Sequence, residues 1–273
     1  MKIDTVTFSP TGTSAKIADA VAGCLRDNKN GGDDIDLTHD VNQECTFPPD
    51  SLLVVSMPVY GGKVAPIARN RMDNIKGEGT PCVAIVVYGN RAYEGALAEL
   101  SEFLSGKGFK VIAAAAFVGE HSYSTMTTPI ASGRPDDKDI EDACCFAREI
   151  NEKLGRGCFS AADISKLVAP VSSEESLRNF RNFVVGYQKQ QAVHPVKYLP
   201  EVDLGKCSGC GKCVADCPTG AIADDCHAVD AAKCIKCAAC VKCCPSEART
   251  LYTPFAEVLS ENFSQRKPPV WIL

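Results

Sequence analysis

The sequence predicts an α/β fold in which helices cover both faces of a parallel sheet, followed by a smaller domain rich in cysteine. Three observations support this prediction. Short apolar segments alternate with helical patterns over residues 1–155, as they do in doubly wound sheets. The segments are almost continuously apolar, which is typical of strands buried on both faces. A run of four cysteines then occurs twice near the end of the chain.

The predicted strands are short apolar runs at residues 3–8, 51–57, 82–88 and 111–118. Between and after them, apolar side chains recur at the spacing of one helix face. These stripes consist of Ile17, Val21, Ala22 and Leu25, then Leu97, Leu100 and Leu104, and then Ile140, Ala143, Cys144, Ala147 and Leu154. Ligands of such sheets bind beyond the carboxyl ends of the strands, so we expect a site in the loops that follow the strands.

Composition and charge exclude several classes of protein. With 273 residues, 45% of them hydrophobic and 23% charged, the chain is an ordinary globular protein of one or two domains. A net charge of −5 argues against nonspecific binding to nucleic acid. No apolar run approaches the ~20 residues of a membrane span. The start, MKIDTVTFSP, is predicted to be a strand rather than a signal peptide, so we expect a cytoplasmic protein with reduced thiols.

Both cysteine runs have the spacing C-x2-C-x2-C-x3-C followed by proline. They are CSGCGKCVADCP at 207–218 and CIKCAACVKCCP at 234–245. Two-residue gaps let a turning backbone direct three thiolates at three irons, while N–H groups of the loop hydrogen-bond the sulfides. The repeat extends beyond the ligands: Lys206, Val214 and Ala221 correspond to Lys233, Val241 and Ala248. A duplicated half-domain that binds two 4Fe–4S clusters is the simplest interpretation.

Zinc is the competing interpretation of the two runs. Zinc sites usually show two C-x2-C pairs some distance apart, and three cysteines at C-x2-C-x2-C crowd a tetrahedral ion. The doubled run therefore favours iron–sulfur clusters. Cys243 adjoins Cys244 and is an alternative ligand, although the spacing favours Cys244. The other cysteines are expected to be small buried apolar residues, and they are Cys24, Cys45, Cys82, Cys144, Cys145, Cys158 and Cys226.

Three loops at the expected edge of the sheet suit a planar, phosphorylated ligand. SPTGTSAK at 9–16 leads directly into a helix, and it offers hydroxyls, N–H groups and the positive helix end to one phosphate. It lacks the glycine patterns of nucleoside triphosphatases and dinucleotide folds. MPVYGGKVAP at 57–66 and YGNRAYEG at 88–95 each combine tyrosine with glycine. The alternatives are a helix cap that binds no ligand and tyrosines that only pack in the core.

The first loop resembles the flavodoxin phosphate loop, S/T-x-T-G-x-S/T, and the cysteine repeat resembles the dicluster bacterial ferredoxins. The order of the two parts resembles a family of fused flavodoxin–ferredoxin proteins, sometimes called EFR-type ferrodoxins, over residues 1–155 and 200–252. The resemblance implies a five-stranded flavodoxin-like sheet, a small α+β ferredoxin-like domain, FMN and two 4Fe–4S clusters. Many flavodoxins stack a tryptophan on the flavin, whereas the one tryptophan here is Trp271 in the C-terminal tail.

The resemblance also implies roles for single residues in flavin binding. The FMN phosphate is expected at Ser9, Thr11, Gly12, Thr13 and Ser14. The rings expected to stack on the isoalloxazine are those of Tyr60 and Tyr93, with backbone groups of Gly61, Gly62, Gly89 and Asn90 near its edge. The remaining predicted cofactor-binding residues are Pro10, Pro58, Val59 and Arg91. The Arg91 guanidinium either favours an anionic flavin or lies in solvent.

In dicluster ferredoxins the fourth cysteine of each run binds the other cluster. On this resemblance the first cluster is expected at Cys207, Cys210, Cys213 and Cys244. The second is expected at Cys234, Cys237, Cys240 and Cys217.

The predicted organisation is an FMN-binding domain at 1–155, a connector at 156–199, a cluster domain at 200–252 and a tail at 253–273. Within the connector, Ser172 and Glu175 have the spacing of a capping box. The helical stripe behind it, which we interpret as a brace between the two domains, is Leu177, Phe180, Val184 and Tyr187. The apolar end of the tail docks either on its own chain or on a partner.

The expected function is electron transfer among FMN, the clusters and an external donor or acceptor, either a protein or a small molecule. Two alternatives stay open at this point: an FMN-dependent reductase of a small substrate fed through the clusters, and a redox sensor. No residue is assigned an acid or base role, because a lone histidine such as His121 is more often structural than catalytic. The sequence does not indicate an oligomeric state.

Overall fold

The computed structural model describes residues 1–26, 31–39 and 44–273, which form two compact units. The first unit comprises Met1–Glu120, Gly133–Val171 and Arg266–Leu273, and the second comprises His121–Ser132 and Ser172–Gln265. This division differs from the predicted segments, and it splits the predicted connector between Val171 and Ser172. Residues 121–132, expected in the FMN-binding segment, belong to the second unit, and residues 266–273 of the tail belong to the first.

The strands and helices of the described residues follow in chain order. The strands are β1 (Lys2–Thr7), β2 (Asp34–Asp36), β3 (Cys45–Phe47), β4 (Ser51–Tyr60), β5 (Lys63–Val64), β6 (Ile75–Gly77), β7 (Thr80–Tyr88), β8 (Phe109–Val118), β9 (Glu201–Val202), β10 (Arg249–Thr250) and β11 (Val270–Ile272). The helices are α1 (Thr13–Leu25), α2 (Pro66–Arg71), α3 (Ala96–Gly106), α4 (Asp137–Gly155), α5 (Glu174–Val193), α6 (Lys212–Ala215), α7 (Ala239–Lys242) and α8 (Phe255–Asn262), with one 3-10 turn at Ile164–Lys166. In the part of the chain that the structure describes, no helix combines the length and the apolar character needed to cross a membrane.

A seven-stranded sheet forms the centre of the first unit. Its parallel strands lie in the order β2-β1-β4-β7-β8, which is the strand order of flavodoxin-like doubly wound sheets. β11 joins the β8 edge in antiparallel orientation, and β5 pairs with the end of β4. β4 and β7 are buried along most of their length, so their sequences are apolar without alternation. The predicted α/β class and five-stranded parallel sheet are confirmed.

The C-terminal tail docks on its own chain, which answers the question that the sequence left open. The Trp271 ring centroid lies 5.8 Å from that of Phe146, and Trp271 Nε1 donates a hydrogen bond to Glu149 at 3.0 Å. Phe146 belongs to the core between the sheet and helices α1 and α4. The tail strand β11 therefore adds both backbone pairing and a large aromatic ring to the first unit.

A disulfide joins α1 to α4, which corrects the expectation that the scattered cysteines are reduced and buried. Cys24 and Cys144 are 120 residues apart in sequence, but their helices pack in one core and their Cα atoms are 5.6 Å apart. Among the remaining scattered cysteines, Cys82 and Cys226 are buried as expected, whereas Cys45 and Cys145 are only half-buried and Cys158 is exposed in the turn after α4. Helix spacing alone could not show that the α1 and α4 thiols meet, because that depends on how the two helices pack.

Helix α5 begins one residue later than the predicted capping box implies. Its N-cap is Ser173, whose Oγ accepts the Ser176 N–H at 3.1 Å, so Ser172 and Glu175 do not form the reciprocal cap. Asp136 and Asp139 do form one at the start of α4. The shift follows from competition between adjacent serines, since either can serve as the cap and only the backbone turn selects one.

The aromatic stripe of α5 packs against α8 within the second unit. Phe180 lies 5.6 Å from Phe263 and 6.4 Å from Phe255, centroid to centroid. Tyr187 contacts Phe255 edge-on at 4.9 Å. No residue of α5 is fully buried, and the side chains that α8 shields in part include Phe180 and Tyr187. Phe180 and Tyr187 of the predicted stripe therefore lie on the face that joins α5 to α8, whereas Leu177 is exposed, and the role of the stripe as a brace stays a prediction.

Candidate cofactor sites

The loop between β1 and α1 leaves backbone donors free at a helix start. Gly12 is the N-cap of α1, with a left-handed φ of 83°, and it has no side chain with which to cap the helix. The N–H groups of Thr13 and Ser14 lie in the first turn, where a helix supplies no acceptor. Such N–H groups, together with the positive end of the helix dipole, favour an anion.

Two serines of this loop differ in how their hydroxyls are bonded. Ser9 Oγ accepts the Ala15 N–H at 3.0 Å and so takes over part of the missing cap. Ser14 is only 1% exposed, and no described residue hydrogen-bonds to its Oγ. An unsatisfied buried hydroxyl destabilises a fold by about 1–3 kcal/mol. The Ser14 hydroxyl therefore fits a ligand oxygen, and the loop as a whole fits a monophosphate.

The other two predicted loops lie at the same edge of the sheet as this one. β1, β4 and β7 are parallel neighbours, so their carboxyl ends meet there. Gly61 and Gly62 both have positive φ, 60° and 82°, and form the tight turn of the β4–β5 hairpin. A Cβ on Gly62 would come within 2.0 Å of Glu94 Oε2. The positive φ of both glycines thus allows the turn, and the missing side chain of Gly62 leaves room for that of Glu94. The sequence analysis had not singled out Glu94.

The predicted stacking tyrosines are unequally placed. Tyr93 is 6% exposed, and its ring meets the buried Tyr88 ring edge-on, with centroids 5.5 Å apart. Burial raises the pKa of both phenols, so both stay neutral. Tyr60 is half-buried at the last position of β4, opposite Lys63. Tyr60 thus has more accessible surface for a planar ligand than Tyr93, and the stacking roles stay predictions.

Arg91 is held by its own loop. Its Nη1 donates to Glu94 Oε1 at 2.6 Å, and its carbonyl accepts a hydrogen bond from Lys267 Nζ in the tail. Of the two interpretations of Arg91, a guanidinium in open solvent is wrong, because the side chain is 19% exposed and ion-paired. Asn90 in the same loop is buried with a left-handed φ of 64°. The other predicted positions are half-buried, and they are Pro10, Thr11, Pro58, Val59 and Gly89.

His121 makes local contacts in the second unit. Its Nδ1 accepts the Tyr123 N–H at 3.0 Å, and the two rings lie 4.9 Å apart. A structural role, as the sequence suggested, accounts for these contacts.

The two cysteine runs share one backbone conformation. Left-handed residues occur at Gly209, Gly211 and Gly220, and again at the equivalent positions of the second run, Lys236, Ala238 and Glu247. The hydrogen bonds repeat as well, since the N–H of Cys207 donates to Asp203 O and that of Cys234 to Asp230 O, both at 3.0 Å. Glycine adopts these angles freely, whereas the second run keeps them at a steric cost. The sequence repeat is thus a structural repeat.

The two halves are interleaved rather than separate. Val202, which precedes the first run, pairs with Arg249, which follows the second. The equivalent pair, with the two halves exchanged, is Val229 with Ile222. The end of each run is therefore held beside the start of the other, which is what crossed ligation requires.

The fourth cysteine of each run has backbone donors for a thiolate. The Ala221 N–H donates to Cys217 Sγ, and the Ala248 N–H to Cys244 Sγ, both at 3.3 Å. Burial raises the pKa of each thiol, but hydrogen bonds from backbone N–H groups and from the hydroxyls of Thr219 and Ser246 outweigh it and lower both pKa values. Both side chains are thus prepared to bind a cation or a cluster as thiolates.

Two cavities lie between the runs, and their linings coincide with the predicted crossed sets. The first is lined by Cys207, Cys210, Cys213 and Cys244, and the second by Cys217, Cys234, Cys237 and Cys240. No three Cys, His, Asp or Glu side chains of the described residues are arranged to hold one metal ion. The thiols surround two small cavities, and this arrangement fits the predicted iron–sulfur chemistry.

Two further cysteines lie close by. Cys226 is buried in the lining of the first cavity, beside Cys213, although its position outside the runs gave no signal in the sequence. Cys243 occupies the position in the second run that Asp216 has in the first, and it hydrogen-bonds to that carboxylate. Burial, and then the Asp216 charge, raise the pKa of the Cys243 thiol to about 12. Cys243 lines neither cavity, so the structure favours Cys244 as the fourth ligand.

Comparison with known proteins gives matches in both parts of the chain. A model of the 4Fe–4S binding domain matches residues 200–223, which contain the first cysteine run. No curated protein matches the sequence. Solved structures similar to the chain include an archaeal flavodoxin (15% identity, TM-score 0.38, covering 57% of this chain and 99% of that one) and oxidised flavodoxin 1 from Bacillus cereus (18%, 0.37, 56% and 98%).

A third similar structure is the rubredoxin oxygen:oxidoreductase of Desulfovibrio gigas, with 15% identity and a TM-score of 0.38. The likeness covers 57% of this chain but only 36% of that one. Sequence motif and strand order together establish that this chain combines a flavodoxin-like fold with a 4Fe–4S binding domain at residues 200–223.

Proposed function

We propose that the chain is an electron-transfer protein that holds FMN and two 4Fe–4S clusters and exchanges electrons with an external redox partner, either a protein or a small molecule. On this proposal it belongs with the fused flavodoxin–ferredoxin proteins. The observation that supports it best is the pair of cavities, because the lining of each contains three cysteines of one run and the fourth cysteine of the other. When bound, FMN exchanges electrons in pairs or singly and each cluster exchanges one, so together they connect two-electron and one-electron donors.

The residues have distinct tasks on this proposal. The first turn of α1 and the Ser14 hydroxyl hold the FMN phosphate, and the loops after β4 and β7 form the walls for the ring. The cysteine thiolates bind iron, and the left-handed turns of each run direct backbone N–H groups inward. No side chain transfers a proton. The protein fixes positions and tunes potentials through burial and hydrogen bonds.

Cofactor analysis of anaerobically prepared protein tests the proposal. We expect about eight irons, about eight acid-labile sulfides and one FMN per chain. Stoichiometric zinc without labile sulfide would refute the cluster assignment. FMN that is absent, and does not bind on titration, would refute the flavin assignment separately.

A kinetic experiment tests whether the cofactors act together. A flash-generated donor reduces the clusters, and flavin absorbance then reports the arrival of electrons. We expect a rate that does not change with protein concentration, because both sets of binding residues lie on one chain. A rate proportional to concentration would show two separate carriers that share a polypeptide.

A further inference from the structure

The two cysteine-lined cavities differ at one equivalent position. Ile222 lines the cavity of Cys234, and Arg249, its counterpart in the second half of the repeat, lines the cavity of Cys207. Each residue directly follows the alanine whose N–H donates to the fourth cysteine. The lining of one cavity therefore contains an apolar residue where the lining of the other contains an arginine.

The Arg249 guanidinium is deeply buried and incompletely bonded. Arg249 is 3% exposed, and its Nη2 donates to the carbonyl of Cys226. Its Nε and Nη1 are buried and have no hydrogen-bond partner among the described residues, and no carboxylate there pairs with it. A buried cation with two unsatisfied donors is strongly unfavourable unless an anion lies beside it. An iron–sulfur cluster with four thiolate ligands is such an anion, and its sulfur atoms accept hydrogen bonds.

We propose that Arg249 raises the reduction potential of the cluster held by Cys207, Cys210, Cys213 and Cys244 above that of its partner, and so makes it the site where an electron comes to rest. This inference rests on the proposed function, because it requires that both clusters are present. Reduction adds one negative charge, which a nearby positive charge and N–H donors stabilise, and the effect is large where burial excludes water. In the exchange, one cluster loses an electron as the other gains it, and no bond is broken.

The positive charge of Arg249 also affects the second set, because it opposes the rise that burial causes in the pKa of the Cys240 thiol. Arg249 nevertheless lines the first cavity and not the second, and its Nη2 donates to the carbonyl of Cys226, which lines the first cavity too. We therefore expect both potentials to depend on Arg249, and the first much more strongly. The asymmetry gives a direction to electron flow within a domain whose backbone is otherwise repeated.

Redox titration monitored by electron paramagnetic resonance tests the inference on the full chain. Arg249→Met removes the charge and the donors, Arg249→Gln keeps donors without charge, and Arg249→Lys keeps charge without the planar fork. Lys206→Met is the matched control, because it removes a solvent-exposed charge from the residue next to Cys207. Iron and sulfide are measured in every sample before titration.

For Arg249→Met we expect the higher of the two potentials to fall towards the lower. The equilibrium constant for exchange between the clusters should change at least tenfold, which for one electron is about 59 mV in their separation. Arg249→Gln and Arg249→Lys should give intermediate shifts, and Lys206→Met should leave the separation unchanged.

Three results would overturn the inference. They are an unchanged separation, equal shifts of both clusters, and loss of the first cluster in all three Arg249 variants, since Arg249 would then be needed for assembly. If the unaltered protein holds fewer than about eight irons per chain, the proposed function fails and the inference with it. Eight irons with no shift refutes the inference alone.

Discussion

Ser14→Ala should have opposite effects on the stability of the protein and on its affinity for FMN. The Ser14 hydroxyl is buried and has no partner among the described residues. Removing it should stabilise the flavin-free protein by about 1 kcal/mol, because the penalty for an unsatisfied buried hydroxyl is about 1–3 kcal/mol. For a unit of this size, that raises the melting temperature by about 2–4 °C.

The same substitution should weaken FMN binding. A hydrogen bond to a charged group contributes about 1.5–3 kcal/mol, and each 1.4 kcal/mol is a factor of about ten in affinity. We therefore expect FMN to bind about 10- to 100-fold more weakly, as measured by quenching of flavin fluorescence. Riboflavin affinity should not change, because on the proposed function the hydroxyl bonds to the phosphate that riboflavin lacks.

Ser9→Ala is the matched control for this prediction. Ser9 Oγ accepts the Ala15 N–H, so its loss resembles loss of a helix cap and should destabilise the flavin-free protein by about 1 kcal/mol. Ser14→Ala and Ser9→Ala should thus change the stability of the flavin-free protein in opposite directions. Reduced stability of flavin-free Ser14→Ala, or an equal loss of FMN and riboflavin affinity, would show that Ser14 has a structural role and that our reasoning is wrong.

Two further predictions concern the cluster loops. Cys217→Ala should damage the cluster of Cys234, Cys237 and Cys240 and spare the one nearer in sequence, while Cys243→Ala should change neither; spectra that show the reverse would mean that each run is self-contained. Ala238→Gly should delay thermal loss of cluster absorbance, because a left-handed alanine is strained by about 1–2 kcal/mol and glycine recovers about half of that after its own entropy cost. Its counterpart Gly211→Ala should hasten that loss, and equal behaviour of the two variants would contradict the steric argument.

The sheet was predictable from sequence because its strands are buried on both faces. Continuous apolar runs such as 82–88 leave little freedom in assignment, and β7 is buried at every position. The tail strand β11 was not predictable, since three residues at an edge carry no periodicity. Its pairing with β8 depends on the exposed sheet edge and on the fit of Trp271 against Phe146. The sheet edge and the contact between Trp271 and Phe146 exist only after the sheet has formed.

The three loops of the candidate flavin site meet at one sheet edge as the predicted strand order implies, but the contacts within them were not predictable. A hydroxyl-rich loop before a helix indicates an anion site, because backbone geometry decides its chemistry. The two glycines after Tyr60 had a second explanation in the hairpin turn and the approach of Glu94. Arg91 likewise forms an ion pair with Glu94, three positions later in the same loop. The sequence of a loop does not specify whether two such side chains meet.

The cluster domain shows where repetition stops being informative. Spacing predicted two cysteine sets because ligand geometry tolerates little variation, and the crossed linings follow from the interleaved pairs Val202–Arg249 and Ile222–Val229. A repeat describes what two halves share, however, and transfer of an electron in one direction requires that they differ. The difference between Ile222 and Arg249 is visible in the sequence, but an arginine there could as well extend into water. Only its burial against the first cavity, with two donors unsatisfied, turns that difference into an energy gap between the sites.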